Sequence, residues 1–414
     1  MDDWLNSALD YIPQWLEYQM RESEQPGCVI AIVHQGKLVL ERAFGYADIV
    51  DQVPLTPRHR FRVASHSKSF TAAGIIRDGS DSGQWEDRRP FLNATELRLD
   101  LAAPPVIEAN TRFKYSNHGY GLAGLVIEAV TGMPYRSWIK QAIIEPAGVR
   151  ETAPDMPVPM SEPVARGHSS KLPLGRRVII PGDNPTNALA PATGFVSTAR
   201  DLAHWFAQLD PAAGESVLTV SSRREMVRRQ WRYSYSCLEL DYGLGIISGK
   251  TAEWEWFGHS GGFQGFSSRT VVLPDCAVTV SVLTNAMDGP IDRWSDGAIN
   301  ILACFAKRGA PTGEVRDWTG RWWSLWGAID LVPIGRTVMV GVPSQPNPFI
   351  DATEISLTGE DRGRVTLASG VARHGEEVRR VRRCNGKVNE VWLGGRCFLP
   401  EAEAATELEQ RYGG

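Results

Sequence analysis

Apolar and polar positions alternate with two different periods along this chain, and the changes of period divide it into elements. Near the start, Trp4, Leu5, Ala8, Leu9, Ile12, Trp15 and Leu16 recur at the spacing of one helical face, with Pro13 expected to kink or divide the helix. The runs Cys28–Val33 and 38–46, joined by Gln35-Gly36, predict a β-hairpin. The middle of the chain reads as helical. Helices are predicted over 119–131, ended by Gly132 and Pro134, over 136–145, and over 198–209, where Thr198 and Asp201 have the spacing of a capping box. Residues 150–192 carry many prolines and little periodicity, which predicts a long loop. Alternation returns from 239 to 285, and a helix over about 290–307 follows.

Beyond the Gly- and Pro-containing stretch 308–313 the character changes. Short alternating segments such as Thr337–Gly341 and Val388–Leu393, separated by turn residues, predict a small β-sandwich or barrel. Trp318, Trp322, Trp323 and Trp326 cluster at its start, either as barrel core or as a platform for a sugar or other ligand; core is favoured. The stretch Glu401–Glu409 reads as a solvated helix.

With 414 residues, 43% of them hydrophobic, the chain can fill more than one core. A net charge of −4 gives no footing for nucleic-acid binding or for attraction to an acidic membrane, and no apolar run is long enough to span a bilayer. The opening Met1-Asp2-Asp3-Trp4 lacks the basic region of a signal peptide, so the expectation is a cytoplasmic protein. Cys28, Cys237, Cys276, Cys304, Cys384 and Cys397 are scattered without CxxC or Cys/His clustering, which argues for reduced thiols and against a zinc site.

Candidate chemistry begins at Ser65-His66-Ser67-Lys68, just ahead of the apolar run Phe70–Ile76. On a helix, residues at i and i+3 share a face, so Lys68 would lie beside the Ser65 hydroxyl. A partly desolvated lysine can take the proton that keeps serine from acting as a nucleophile. Alone, Ser-x-x-Lys is a weak motif with many chance matches. Tyr115-Ser116-Asn117 precedes an apolar, Gly-punctuated run. It supplies either a phenol and an amide for a cleft or simply a turn, with Asn117 as helix cap and Tyr115 as core. In Gly258-His259-Ser260-Gly261-Gly262, small residues on a strand would let a substrate backbone approach. There His259 could assist a proton relay or bind a carboxylate; the plainer alternative is a Gly-rich turn with a solvent-facing histidine. Gly258-x-Ser260-x-Gly262 also fits the nucleophile elbow of α/β-hydrolases, but strand-like sequence on both sides and a single later histidine, His374, weigh against that reading.

In this order, Ser65…Lys68, Tyr115…Asn117 and His259-Ser260-Gly261 resemble the motifs of the serine β-lactamase and penicillin-binding-protein-like superfamily, on its class-C-like side with D-aminopeptidases, D,D-peptidases and esterases. The phrase Val196–Ala199 with Asp201-Leu202 and the hairpin from Val271 to Asn285 are similar as well, so the likeness covers about residues 8–307. It implies an α/β fold, with a β-lactamase-like antiparallel sheet flanked by helices and a mostly helical subdomain, in residues 1–308. Residues 314–414 would add a small antiparallel β-barrel of lipocalin-like form. It further implies Ser65 as acylated nucleophile, Lys68 as its activator, Tyr115 as proton shuttle, Asn117 as holder of the substrate carbonyl and His259 as completing the polar network. Ser260, Gly261 and Gly262 would line the substrate strand, with the N–H groups of Ser65 and Gly262 as oxyanion hole. The reaction would pass through an acyl-enzyme without metal or organic cofactor.

The implied substrates are small peptides with D-residues or small esters; a homo-oligomer stays open. One departure stands out. Tyr115 follows Ser65 sooner than in the family, and the loop-forming string Arg77–Gly83 interrupts what should be a long nucleophile helix, so the domain is expected to be shortened between 76 and 115. That leaves a second expectation, a catalytically impaired scaffold that binds peptide or muropeptide fragments without turnover.

Overall fold

The computed structural model describes residues 2–71, 85, 90–104, 107–108, 111–234, 237, 239–371 and 373–413. The apolar run Ala72–Ile76 and the string Arg77–Gly83 lie outside the described residues. The chain forms two compact units, Glu24–Ser295 and Met1–Ser23 together with Asp296–Gly414. Among the described residues no helix is long and apolar enough to cross a membrane.

Glu24–Ser295 is built on a nine-stranded antiparallel sheet. In chain order its strands are β1 (Gly27–His34), β2 (Lys37–Asp48), β3 (Val53–Pro54), β4 (Trp231–Arg232), β5 (Asp241–Tyr242), β6 (Ile247–Thr251), β7 (Trp254–Phe263), β8 (Phe266–Leu273) and β9 (Val278–Thr284). Their spatial order is β3-β2-β1-β9-β8-β7-β6-β5-β4, so the N-terminal hairpin pairs with the last strand. Gln35 and Gly36 both take positive φ (48° and 75°), as a tight two-residue hairpin turn requires. β1 is apolar without alternation and buried from Gly27 to Val33, whereas β9 alternates Val278, Val280 and Val282 with Thr279 and Ser281, and all seven of its residues are buried.

Helix α1 (Asp3–Glu22) belongs to the other unit and runs undivided through Pro13. In the first unit follow α2 (Ser67–Thr71), α3 (Ala94–Leu101), α4 (Asn117–Thr131), α5 (Tyr135–Ile139), α6 (Ala199–Gln208) and α7 (Val220–Val227), and α8 (Ile291–Arg308) leads out of it. The cap of α4 is Ser116, whose Oγ accepts from Gly119 N at 3.0 Å, and Gly132 ends the helix at φ 68°. Helix α6 lays Leu202, Ala203, Trp205 and Phe206 against β1, β8 and β9. Thr198 caps it by accepting from Asp201 N, but the box is not reciprocal: the Asp201 carboxylate instead accepts from Glu151 N at 2.7 Å and Thr152 Oγ1 at 3.1 Å.

Residues 150–192 are largely irregular, as expected, and a buried carboxylate organises them. Asp155 accepts from Thr186 N, Thr186 Oγ1 and Asn187 N at 2.9–3.1 Å and pairs with Arg136. Buried Arg62 lies 3.9 Å from Asp155, donates to Gly182 O and Asn184 O, and covers the Phe263 ring at 3.7 Å. A loop this long would otherwise bury unmatched backbone groups.

The second unit contains a nearly closed eight-stranded antiparallel barrel: β10 (Gly320–Ser324), β11 (Gly327–Ile334), β12 (Thr337–Gly341), β13 (Thr353–Gly359), β14 (Arg362–Leu367), β15 (Glu377–Arg382), β16 (Val388–Leu393) and β17 (Arg396–Phe398), in sequential order. Trp323 and Leu399 exchange both backbone hydrogen bonds, at 2.7 and 2.8 Å, and so tie the first strand to the end of the last. Trp318 and Trp322 fill the core with Leu331, Ile355, Val378 and Val391, whereas Trp326 is 75% exposed. The tryptophan cluster is therefore divided, and its buried half is packing. Helix α9 (Glu401–Tyr412) buries only Ala404.

Candidate active site

Three short pieces of chain build the site. The first is the turn before α2. Phe61 and Arg62 pair with Val196 and Ser197, and Val63 N donates to Phe195 O at 3.0 Å. The backbone then tightens into a 3₁₀ turn, Ala64–His66, with Ala64 at φ 43°, an uncommon conformation for a residue with a Cβ. Phe70 anchors α2 by stacking on Phe195 and Trp205 at 4.6 and 4.4 Å between centroids. Ser65 sits on this turn, half-buried, and Lys68 one helical step later is wholly buried.

Among the described residues, Lys68 Nζ meets Ser65 Oγ at 3.2 Å, Asn117 Oδ1 at 2.6 Å and Ala192 O at 2.9 Å. It also stands 4.6 Å from the ring centre of Tyr115 and 5.4 Å from that of Tyr120. Asn117 turns its carbonyl oxygen to the lysine, so its amide end is the donor end. It is the first residue of α4 rather than the cap, and Tyr115, 37% exposed, is not core.

The second piece is β7. Strand β6 pairs with it only as far as Gly258, so His259–Phe263 has a strand partner, β8, on one side alone. One face of this stretch meets the 64–66 turn closely: a Cβ on Gly261 would lie 2.1 Å from Val63 O, whereas one on Gly262, which points to the other face, would meet nothing within 4 Å. Ser260 stands inside β7, which runs straight on into the β8 hairpin. The strand-to-helix turn that a nucleophile elbow needs is absent there.

His259 is 3% exposed and so is not a solvent-facing histidine. Burial, then the neighbouring His66 and Lys68, hold its pKa well below the usual histidine range, and the ring is neutral. His66, also buried, is pushed down to about 4 by burial. Its Nδ1 faces Val63 O at 3.0 Å, and its Nε2 faces Thr270 Oγ1 at 3.1 Å.

The third piece, β5 and the turn after it, offered no signal that the motif reading used. Tyr242 reaches His259 Nε2 at 3.2 Å and shares a hydrogen bond with Tyr120. With Phe113, Tyr115 and Tyr233 these rings line one wall, at centroid separations of 4.7–6.2 Å from Tyr242. Burial pushes Tyr120 up to about 12, and Tyr242 also stays a neutral phenol. The string Tyr242-Gly243-Leu244-Gly245 could have marked the place. A Cβ on Gly245, at φ +68°, would fall 2.5 Å from Lys68 O, so this turn must be glycine to touch the lysine helix.

Comparison with known proteins agrees with this architecture. The family model described as Beta-lactamase matches residues 12–88 and 83–302. Among curated proteins, the D-aminopeptidase of Cereibacter sphaeroides is 24% identical over 77% of this chain, and protein flp of Staphylococcus aureus strain NCTC 8325 is 22% identical over 68%. The chain spans just under two thirds of their lengths, 66% and 64%. Among solved structures, the octameric penicillin-binding protein homologue from Pyrococcus abyssi superposes with a TM-score of 0.60 at 19% identity, covering 95% of this chain and 100% of that one. The D-amino acid amidase from Ochrobactrum anthropi SV3, complexed with D-phenylalanine, gives 0.60 at 21%, covering 73% and 99%. At such identities the superpositions speak for the fold. The family match, which takes in the Ser65 turn, the Lys68 helix, Tyr115, Asn117 and the His259 strand, is what establishes that this chain belongs to the beta-lactamase family.

Proposed function

We propose that the protein is a serine hydrolase that cleaves an amide or ester through an acyl-enzyme on Ser65. The observation that carries this reading is the setting of Lys68. It is buried, and two of the oxygens it meets, Asn117 Oδ1 and Ala192 O, can only accept. A neutral Lys68 amine would give its two N–H bonds to those oxygens and aim its lone pair at the Ser65 hydroxyl, the arrangement of a general base. On attack, Lys68 takes the Ser65 proton, and Tyr115, beside the lysine, passes a proton to the leaving group. The Asn117 amide and the unpaired edge of β7 at Ser260, Gly261 and Gly262 hold the substrate, and the N–H groups of Ser65 and Gly262 receive the oxyanion. His259 shapes the polar network without adding charge.

The named relatives guide the substrate class. One is a D-aminopeptidase and another a D-amino acid amidase, which supports amides of D-residues ahead of simple esters. A homo-oligomer is part of the proposal, since the Pyrococcus abyssi homologue is octameric, and light scattering on the purified protein tests it. A second reading, a scaffold that binds peptide or muropeptide fragments without turnover, draws on one observation. The family match is broken into two stretches that meet at 83–88, inside the segment expected to be short.

Covalent labelling separates the two. A fluorophosphonate probe should add one mass to the protein and none to Ser65→Ala, and Lys68→Met should slow labelling by about 10²–10⁴-fold. A folded protein that takes no label would favour the scaffold. Label retained in Ser65→Ala but lost in Ser260→Ala would overturn the assignment of the nucleophile.

A further inference from the structure

His259 has both ring nitrogens occupied, and the identity of the two partners settles where its proton lies. Nδ1 is 2.6 Å from Ser260 O, and a carbonyl can only accept, so Nδ1 carries the hydrogen. In a neutral ring Nε2 is then an acceptor, and the hydroxyl 3.2 Å away, Tyr242 Oη, is the donor. Tyr242 is itself 4% exposed and is held from behind by Tyr120, whose hydroxyl is in turn met by Gly245. Among the described residues, titratable groups from four elements face the imidazole: Tyr242 from β5, His66 from the 3₁₀ turn at 6.2 Å between centroids, Lys68 from α2, and Tyr115 ahead of α4 at 6.3 Å. None of these groups is a carboxylate that could draw a proton onto the ring.

We propose that Tyr242 is a positioning residue that sets substrate charge: by donating to Nε2 it adds to burial in keeping His259 an uncharged wall with no hydrogen to offer, so the cleft beside Ser65 takes leaving groups that are neutral there and rejects carboxylates. The inference rests on Ser65 being the nucleophile. A carboxylate brought against this wall would leave water for a ring with no hydrogen to offer and no charge to balance it. A carboxamide or neutral ester gives up much less hydration at the same place. The buried phenol does not touch the reacting atoms; it acts through the histidine.

The test uses the full-length protein and two aryl esters of the same acyl group, one releasing 3-hydroxybenzoate and the other 3-hydroxybenzamide. The wild type should favour the carboxamide ester in kcat/KM by on the order of tenfold, with the ratio flat between about pH 6 and about pH 8. Histidine ¹⁵N spectra should show His259 neutral and protonated on Nδ1 across that range. Tyr242→Phe removes the hydrogen bond that favours the neutral ring, so protonation becomes easier. Its preference should therefore shrink by about threefold or more as pH falls toward about 6. His259→Lys, which places a cation there, should reverse the preference.

A wild type that prefers the carboxylate ester, a charged His259 at neutral pH, or a Tyr242→Phe ratio as flat as the wild type's would each overturn the inference. If Tyr242→Phe does not fold, the wild-type spectrum and the His259→Lys ratio still decide it. Turnover that survives in Ser65→Ala would sink the nucleophile reading and this inference with it. Turnover lost in Ser65→Ala together with a carboxylate preference would sink this inference alone.

Discussion

Gly261 and Gly262 are neighbours on one strand, yet adding a single methyl group to each should have opposite consequences. At Gly261 the new Cβ would lie 2.1 Å from Val63 O, 2.8 Å from Ser268 Oγ and 3.0 Å from His66 Nδ1. The first contact is short by roughly 1 Å, and the carbonyl cannot swing away cheaply. It accepts from His66 N at 3.1 Å and Nδ1 at 3.0 Å, while Val63 N is tied to Phe195 O at 3.0 Å. Overpacking of this kind costs about 1–3 kcal/mol, and loosening two hydrogen bonds adds about 0.5–1.5 kcal/mol each. Gly261→Ala should therefore lose about 2–6 kcal/mol, which for a unit of this size lowers Tm by on the order of 10 °C. At Gly262 nothing stands within 4 Å, so Gly262→Ala should stay within about 0.5 kcal/mol of the wild type. Thermal unfolding of the two variants measures the difference. Probe labelling of folded Gly261→Ala should also slow, because relief of the clash must move the turn that carries Ser65. A Gly261→Ala protein as stable as wild type, or a larger loss at Gly262, would refute the close approach of β7 to that turn.

Two further outcomes test the surroundings of the site. Asp155→Ala leaves Thr186 N, Thr186 Oγ1, Asn187 N and the guanidinium groups of Arg62 and Arg136 without their shared acceptor. A loss of about 3–5 kcal/mol in chemical denaturation is expected, with new protease cleavage between residues 156 and 190; unchanged cleavage kinetics would contradict the anchoring role. The Asp201 carboxyl is raised by burial to about 6 from an ordinary value of 3.8. The native state therefore holds this proton where the unfolded chain has released it, and stability falls as pH rises from about 4 through about 6, by up to about 3 kcal/mol. Asp201→Asn should flatten that slope in urea melts at several pH values and be no less stable than the wild type at about pH 8, since its amide oxygen can still accept from Glu151 N and Thr152 Oγ1. A slope that persists unchanged would assign it to another group.

Periodicity alone marked the buried face of α1, the Cys28–Tyr46 hairpin, α4, α6 and the alternating barrel strands, because each depends on which side of a local element meets the core. Motif order likewise marked Ser65, Lys68, Tyr115, Asn117 and His259 as candidates, and the fold brings all five together. What periodicity could not carry was set by long-range register and turn geometry. Pro13 sits within an unbroken helix, Ser116 rather than Asn117 caps α4, and Asp201 turns from its expected capping partner to the backbone at Glu151. The four tryptophans at 318–326 look alike in sequence, and only closure of the barrel buries Trp318 while leaving Trp326 in solvent. Tyr242 comes within reach of His259 because the strand order places β5 and β7 on either side of β6, an adjacency no local pattern encodes. The sequence by itself determined which residues are candidates for the chemistry. The tertiary structure decided their surroundings, since the burial that holds the His259 pKa down and the contacts that set Lys68 beside Ser65 exist only once distant strands and turns have packed.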